Sequence, residues 1–355
     1  MIEKLTEEAI TFLKTLIKTQ SFSKEEEPTA LLIEAWFNQK GIPFERQGNN
    51  IWAYNKYFDE HKPTILLNSH HDTVKPNKNY TRDPFEAKEE EGKLYGLGSN
   101  DAGGCLVALM ATFLYFYERE NMAYNFIIAP TAEEEISGLN GIKSIVDQFK
   151  NVEFAIVGEP TLLDIAIAEK GLMVLDITVK GTAGHAAHRF DDQPIYNALP
   201  VIEWIKNYTF PKVSEQLGAI KMTISQINAG SQHNVVPGEL QMVVDCRVTD
   251  AYQNKEIFEI VNKAIGSEKV IVTPRSFRLN SSKIDPKHPV VLAGIAMGKN
   301  TYGSPTLSDQ TNLTCPSLKM GPGDSNRSHS ADEFIYIREI REGIETYIEL
   351  LEKIV

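Results

Sequence analysis

Thr64-Ile-Leu-Leu-Asn68-Ser69-His70-His71-Asp72 decides how the rest of the chain is read. A short unbroken apolar run bounded by polar residues suits a strand covered on both faces. The pattern recurs downstream. Asn125-Phe-Ile-Ile-Ala129 runs out into Glu133-Glu134-Glu135, and Phe154-Ala-Ile-Val-Gly158 into Glu159. Between these runs, residues 104–118 predict a buried helix, and another helix is expected after Ser137. Upstream, Leu5, Ala9, Phe12, Leu13, Leu16 and Ile17 repeat at helical spacing, with Thr6 and Glu7-Glu8 at the start. A second helix is bounded by Pro28 and Gly41. Strands alternating with helices predict an α/β domain with a partly parallel sheet.

From Met173 onward the texture changes. Met173, Leu175, Ile177 and Val179 are apolar, with Asp176, Thr178 and Lys180 between some of them, as in a half-exposed antiparallel strand. A helix at about 194–208, strands at 220–228 and 239–248, a helix at about 253–265 and a strand at 270–275 follow. That β-α-β-β-α-β order is the ferredoxin-like split arrangement. After Lys283 the first texture returns, with a helix near Val290, a strand at 314–320 and a helix from Asp332. The expected organisation is one discontinuous domain, 1–172 and 281–355, interrupted by an α+β insert at 173–280. The acidic runs Glu25-Glu26-Glu27 and Glu89-Glu90-Glu91 read as solvated turns.

The chain has 355 residues, which at roughly 150 per domain suggests about two domains. Lys plus Arg total 36 against 48 Asp plus Glu, a net charge of −12. Such a balance offers no general attraction for nucleic acid or anionic membranes. Cys105, Cys246 and Cys315 are odd in number and far apart, so a disulfide framework is excluded and a reducing compartment is expected. The first ten residues carry charges where a signal peptide would have its apolar run, and the longest uncharged stretch, 102–117, is too short for a membrane span. A cytoplasmic location is the expectation.

The chemistry-bearing residues cluster where strands end. His70 and Asp72, two apart on an extended segment, point the same way, so an imidazole can bind a metal while the carboxylate orients it; paired histidines at a strand end are more often structural. Asp101 lies in Gly96-Leu-Gly98-Ser-Asn-Asp101-Ala-Gly103-Gly104, where a carboxylate replaces the third glycine of a dinucleotide fingerprint and argues against a diphosphate. It is either a hard metal ligand or the N-cap of the next helix. Glu133-Glu134-Glu135 follows a buried strand, where three carboxylates are costly unless a cation or solvent compensates them. Glu159 stands at another strand end, and His329 in the glycine-rich loop that starts at Gly321-Pro-Gly323. In open α/β sheets the ligand site lies beyond the carboxyl ends of the strands. Two histidines with three or four carboxylates suffice for two zinc ions about 3.5–4 Å apart that share one carboxylate.

Taken in order, these motifs resemble the co-catalytic zinc deacylases and exopeptidases, the family of acetylornithine deacetylase, succinyl-diaminopimelate desuccinylase and carboxypeptidase G, over nearly the whole chain. The resemblance implies a mixed-sheet α/β/α catalytic domain with an inserted ferredoxin-like lid that mediates dimerisation, and two Zn²⁺, for which Co²⁺ can substitute. It implies His70 and Glu159 on one zinc, Glu135 and His329 on the other, Asp101 bridging, Glu134 as general acid/base and Asp72 orienting His70. Gly181-Thr-Ala-Gly184-His185 is similar to the lid histidine motif, so His185 would donate to the developing oxyanion. Asn234 and Arg247 lie in stretches similar to lid-strand motifs and would hold the substrate carboxylate; a turn before Pro237 and a surface ion pair are their structural alternatives. The chain departs from the family by lacking a lysine two residues after Asp101 and by carrying Glu133 where Asp is usual. The spacing from Gly321-Pro-Gly323 through His329 to Asp332-Glu333-Phe334 resembles acetylornithine deacetylases. The activity implied is deacylation of N-acetylornithine, N-acetylcitrulline or N-succinylornithine in arginine biosynthesis, with desuccinylation of succinyl-diaminopimelate or exopeptidase action as the alternative. The implied partners are a small N-acyl amino acid and a second copy of the chain, not nucleic acid or a membrane.

Overall fold

The computed structural model describes residues 1–188 and 191–355. The chain divides into two compact units. The first comprises Met1–Ile167, Lys283–Tyr302 and Ser308–Val355, and the second Ala168–Ser282 and Gly303–Leu307. The principal elements, in chain order, begin with helices α1 (Ile2–Ile17) and α2 (Glu27–Lys40). Strands β1 (Glu45–Gln47), β2 (Asn50–Tyr54) and β3 (Thr64–His70) follow, then α3 (Gly104–Tyr117), β4 (Asn125–Thr131), β5 (Val152–Val157) and β6 (Ile165–Glu169). The second unit carries β7 (Gly171–Lys180), α4 (Leu199–Asn207), β8 (Lys221–Ala229), β9 (Glu239–Val248), α5 (Asn254–Ile265) and β10 (Val270–Pro274). The chain then adds α6 (Pro289–Ala296), β11 (Ser317–Lys319) and α7 (Ile337–Glu352) to the first unit.

The main sheet runs β1-β2-β4-β3-β5-β11-β6. Its centre is parallel, with β3 pairing β4 and β5, and β11 pairing β5. The β2–β4 and β11–β6 pairings are antiparallel, so the sheet is mixed. Every residue of β3 and β4 is buried, and the pleat sends successive side chains to opposite faces. Ile65, Leu67, Phe126 and Ile128 enter the large core shared with α1, α2, α3, α6 and α7. Leu66, Ile127, Ala129 and Ala155 face the other way, where Trp52, Ile142 and Ile145 close over them.

That second face corrects one expectation. The helix expected after Ser137 is absent, and two three-residue 3-10 turns, Ile142–Ser144 and Val146–Gln148, stand there instead. The segment is pinned from outside: the Asn50 side-chain amide donates to the Asn140 carbonyl at 2.6 Å, and the Glu133 carboxylate accepts from the Asn140 side chain at 2.9 Å. Ile142 and Ile145 then reach the core at the i, i+3 spacing of a 3-10 turn. The final helix also starts later than expected. Phe334–Tyr336 first pairs as a strand with Lys93–Tyr95, and α7 begins at Ile337 behind a Tyr336–Glu339 capping box. Glu26 is a third correction. It is fully buried rather than solvated and accepts hydrogen bonds from the Glu133 backbone and the Asn49 side chain. Glu89, Glu90 and Glu91 are exposed.

Phe116 of α3 stacks on Phe126 of β4 with ring centroids 5.0 Å apart, both fully buried. Phe116→Ala leaves a cavity that close-packed neighbours cannot fill, and should cost about 3–5 kcal/mol, read as a lower urea midpoint.

In the second unit the sheet order is β8-β9-β7-β10, antiparallel throughout. With one helix after the first strand and one after the third, this is the ferredoxin-like arrangement. Alternate residues of β7 and β9 are buried, and Val201, Ile205, Ile257 and Val261 of α4 and α5 pack against them. Strand β8 is an edge strand and largely exposed. Among the described residues no helix is long and apolar enough to cross a membrane.

Candidate metal centre

Parallel strands deliver their carboxyl ends to one side of a sheet, and four loops of the first unit use this. His70 ends β3 and Asp72 follows it; Glu134 and Glu135 follow β4; Glu159 follows β5; His329 lies on the loop after β11. Asp101 comes from the distorted turn Ser99–Gly103 that opens α3, where the Asp101–Ala102 peptide is cis.

These side chains converge. His70 Nε2 lies 3.4 Å from Asp101 Oδ1, 3.7 Å from Glu134 Oε2 and 3.9 Å from Glu159 Oε1. His329 Nε2 lies 2.9 Å from Glu135 Oε2 and 3.7 Å from Asp101 Oδ2. Two trios result, His70–Asp101–Glu159 and Asp101–Glu135–His329, each with its ligand atoms within 4.8 Å of one another. Asp101 belongs to both, turning one oxygen to each histidine.

The donor set fits a pair of divalent cations. His70 Nε2 and Glu159 Oε1 are buried and have no hydrogen-bond partner among the described residues, although both face the same carboxylate-lined space. Buried polar atoms are normally satisfied, and a cation would satisfy both. His70 Nδ1 bonds the Asp72 carbonyl at 3.0 Å, which makes Nδ1 the N–H donor and leaves the Nε2 lone pair facing inward. Asp72 does more than sit beside His70. Its carboxylate accepts the backbone N–H of Glu134 at 3.0 Å and of Glu135 at 3.2 Å, and the Ser23 hydroxyl at 2.7 Å. One buried carboxylate therefore fixes the backbone that carries two others.

The electrostatics show how much negative charge is gathered. Burial lifts Glu134 well above the usual carboxylate range; His70 opposes this, while Glu159, Glu135 and Asp309 reinforce it. Burial and the nearby Asp101 push Glu159 to about 8. The Glu135 hydrogen bond is the main cause that raises His329 to about 9. Burial by itself would lower His70, but Glu134, Asp101 and Asp72 hold it well above the ordinary imidazole value. Positive charge is favoured at both histidines, the positions where cations would displace protons.

The remaining sequence candidates lie in the second unit. His185 is exposed on a two-residue strand paired with Val235–Val236, and its Nδ1 accepts from the Ala187 N–H at 3.1 Å. Asn234 is its neighbour, accepting the Ala186 N–H through its carbonyl. Arg247 is not brought to them. It sits at the far end of β9, opposite Leu172 of β7, and its guanidinium forks onto Asp245 at 3.0 and 3.2 Å. Within the unit it forms the surface ion pair, apart from Asn234.

Three further buried carboxylates, to which the sequence alone assigns no role, bear on the centre. Asp309 accepts from the Thr131 hydroxyl at 2.7 Å and is raised to about 6 by burial. Glu26 binds the Glu133 backbone, and Glu333 binds the backbone around Asp101. Only Glu333 stands near a recognisable motif, four residues after His329.

The sequence signature of peptidase family M20/M25/M40 matches residues 66–353. The chain is 27% identical to succinyl-diaminopimelate desuccinylase of Buchnera aphidicola subsp. Cinara cedri (strain Cc), an alignment covering 86% of each protein. Its structure is similar to that of a tripeptidase from Staphylococcus aureus subsp. aureus mu50, with a TM-score of 0.79 and 19% identity over 98% of both chains. It is also similar to YXEP of Bacillus subtilis, a dinuclear metal-binding peptidase of the M20 family, with a TM-score of 0.75 and 15% identity over 98% of both chains. A signature spanning most of the chain, on a mixed α/β fold with converging acidic and imidazole side chains, makes this protein a member of peptidase family M20/M25/M40.

Proposed function

We propose that this chain hydrolyses the amide bond of a small N-acyl amino acid with the help of two zinc ions. The observation that carries the reading is the pair of trios sharing Asp101, with Glu134 beside them and in neither. His70, Glu159 and Asp101 would hold one ion, and Glu135, His329 and Asp101 the other; cobalt suits the same donors. When bound, the metal pair supplies Lewis acidity towards the scissile carbonyl and brings the pKa of water towards neutrality. Glu134 takes the proton of the attacking water at its carboxylate and returns it to the departing amine. Asp72 keeps the His70 ring and the Glu134 backbone in register throughout. The reading also gives His185 the donor to the developing oxyanion and Asn234 the substrate carboxylate; Arg247, ion-paired with Asp245 at the far end of β9, is not brought to that group within one copy. It includes a cytoplasmic homodimer formed through the second unit. The chain's three free cysteines support the location, and the exposed apolar Ile195, Tyr196 and Leu199 of the second unit support the dimer.

For the acyl group, the curated desuccinylase relatives favour succinyl-diaminopimelate over acetylornithine. The five residues between Gly323 and His329 are the feature that favours an N-acylornithine. A panel of succinyl-diaminopimelate, succinyl- and acetyl-ornithine, acetyl-citrulline and dipeptides, with zinc or cobalt supplied, tests both. Succinylated substrates are expected to show kcat/KM at least about tenfold above acetylated ones, roughly 1.4 kcal/mol of discrimination. Hydrolysis of none of them by metal-loaded protein would overturn the proposed activity.

A further inference from the structure

Asp101 can serve two cations only if its carboxylate is aimed so that one oxygen faces each histidine. The segment that carries it has little stiffness of its own. Gly96 and Gly98 have φ values of 146° and 73°, backbone that other residues seldom adopt, and the turn after them is irregular. Four of its backbone N–H groups are held by one residue, 232 positions after Asp101.

Glu333 is 2% exposed and belongs to neither trio. Its Oε1 accepts the backbone N–H groups of Asn100 and Asp101, both at 2.9 Å, and its Oε2 accepts that of Gly98 at 3.1 Å. Its own carbonyl accepts the Gly96 N–H at 3.0 Å. Four N–H groups of the Gly96-to-Asp101 segment thus converge on one side chain and its peptide. Asn100, held in this way, exchanges hydrogen bonds with the backbone of Asp324, at the start of the loop that leads to His329. Glu333 therefore couples the turn bearing Asp101 to the loop bearing His329, two of the three members of the second trio.

A buried carboxylate is costly, and three N–H donors are the kind of partner that makes it tolerable. A glutamine would fit the space but would turn an amide N–H₂ towards at least one backbone N–H. We propose that Glu333 is a positioning residue that sets the aim of the Asp101 carboxylate, so that the second cation is held as firmly as the first. The proposal rests on the two-metal reading above, but its test does not depend on the substrate.

Glu333→Gln and Glu333→Asp are titrated with Co²⁺, following heat of binding, metal content and the visible cobalt spectrum, with circular dichroism as the folding control. Asp keeps the carboxyl group but is one methylene too short to reach all three N–H groups. The first equivalent should bind as in the parent protein. The second should bind about 10–100-fold more weakly in Glu333→Gln, and by a smaller factor in Glu333→Asp, with an altered spectrum at full loading. Turnover should fall through kcat, with KM little changed. Two equivalents bound with parental affinity and spectrum in either folded variant would overturn the proposal, as would a parent protein that binds fewer than two. A parent that binds two cations but hydrolyses nothing in the panel would overturn the proposed activity and leave the role of Glu333 standing.

Discussion

Glu134→Ala should keep both cations and lose nearly all turnover, with kcat falling by about 10²–10⁴-fold, the range for removing a positioned general acid/base. The split between binding and catalysis follows from geometry. Glu134 Oε2 is 3.7 Å from His70 Nε2, yet each trio is complete without it. Its backbone N–H, held by Asp72, is unaffected by truncating the side chain. Metal content by atomic emission, measured alongside kcat at saturating substrate, separates the two effects. Loss of a cation in this variant would make Glu134 a ligand. Turnover within a factor of ten of the parent would remove it from the chemistry.

Asp101→Asn should be as damaging to activity by another route. An amide offers one neutral oxygen in place of two anionic ones, so it cannot serve both trios. At least one cation equivalent should be lost, and turnover should fall by at least about a thousandfold, since no single-ion arrangement keeps both histidines engaged. Stability should move differently. A ligand present at a thousand times its Kd stabilises the native state by about 4 kcal/mol. The parent protein's Tm should therefore climb with added zinc, and that of Asp101→Asn much less. A metal-dependent Tm rise equal to the parent's would show that Asp101 is not shared.

Both predictions concern residues in stretches that the amino-acid sequence marks as candidates, with Glu134 and Asp101 given their roles by the family resemblance, and the reason the stretches stand out is local. His70 and Asp72 sit two apart at a strand exit, and Glu134, Glu135 and Glu159 lie within a few residues of the ends of apolar runs, so each announces its placement locally. The mixed sheet and the ferredoxin-like insert are legible for the same reason, through unbroken apolar runs in one and alternation in the other. What is not legible depends on distant partners. Glu26 reads as a solvated residue in an acidic run because nothing nearby reveals that it holds the Glu133 backbone, 107 residues away. Asp309 and Glu333 bind Thr131 and the Asp101 turn over still longer separations. The missing helix after Ser137 has the same origin: a hydrogen bond from Asn50, 90 residues from Asn140, outweighs local periodicity. Arg247 shows the converse, since its partner Asp245 is two residues away and the ion pair is visible in the sequence as an alternative.

The place of β11 has a consequence for how the protein is made. This strand slots between β5 and β6, although some 150 residues separate it from β6 in the chain. At about 5–20 residues per second, the ribosome needs roughly 7–30 seconds to cross that gap. During this time β5, largely apolar, has an unpaired backbone edge, the kind of surface that recruits other chains. The intervening unit can close its own core while the first one waits. A nascent chain is thus exposed to aggregation for longer than its native contacts suggest, and holding chaperones should bind it most avidly before residue 319 has emerged.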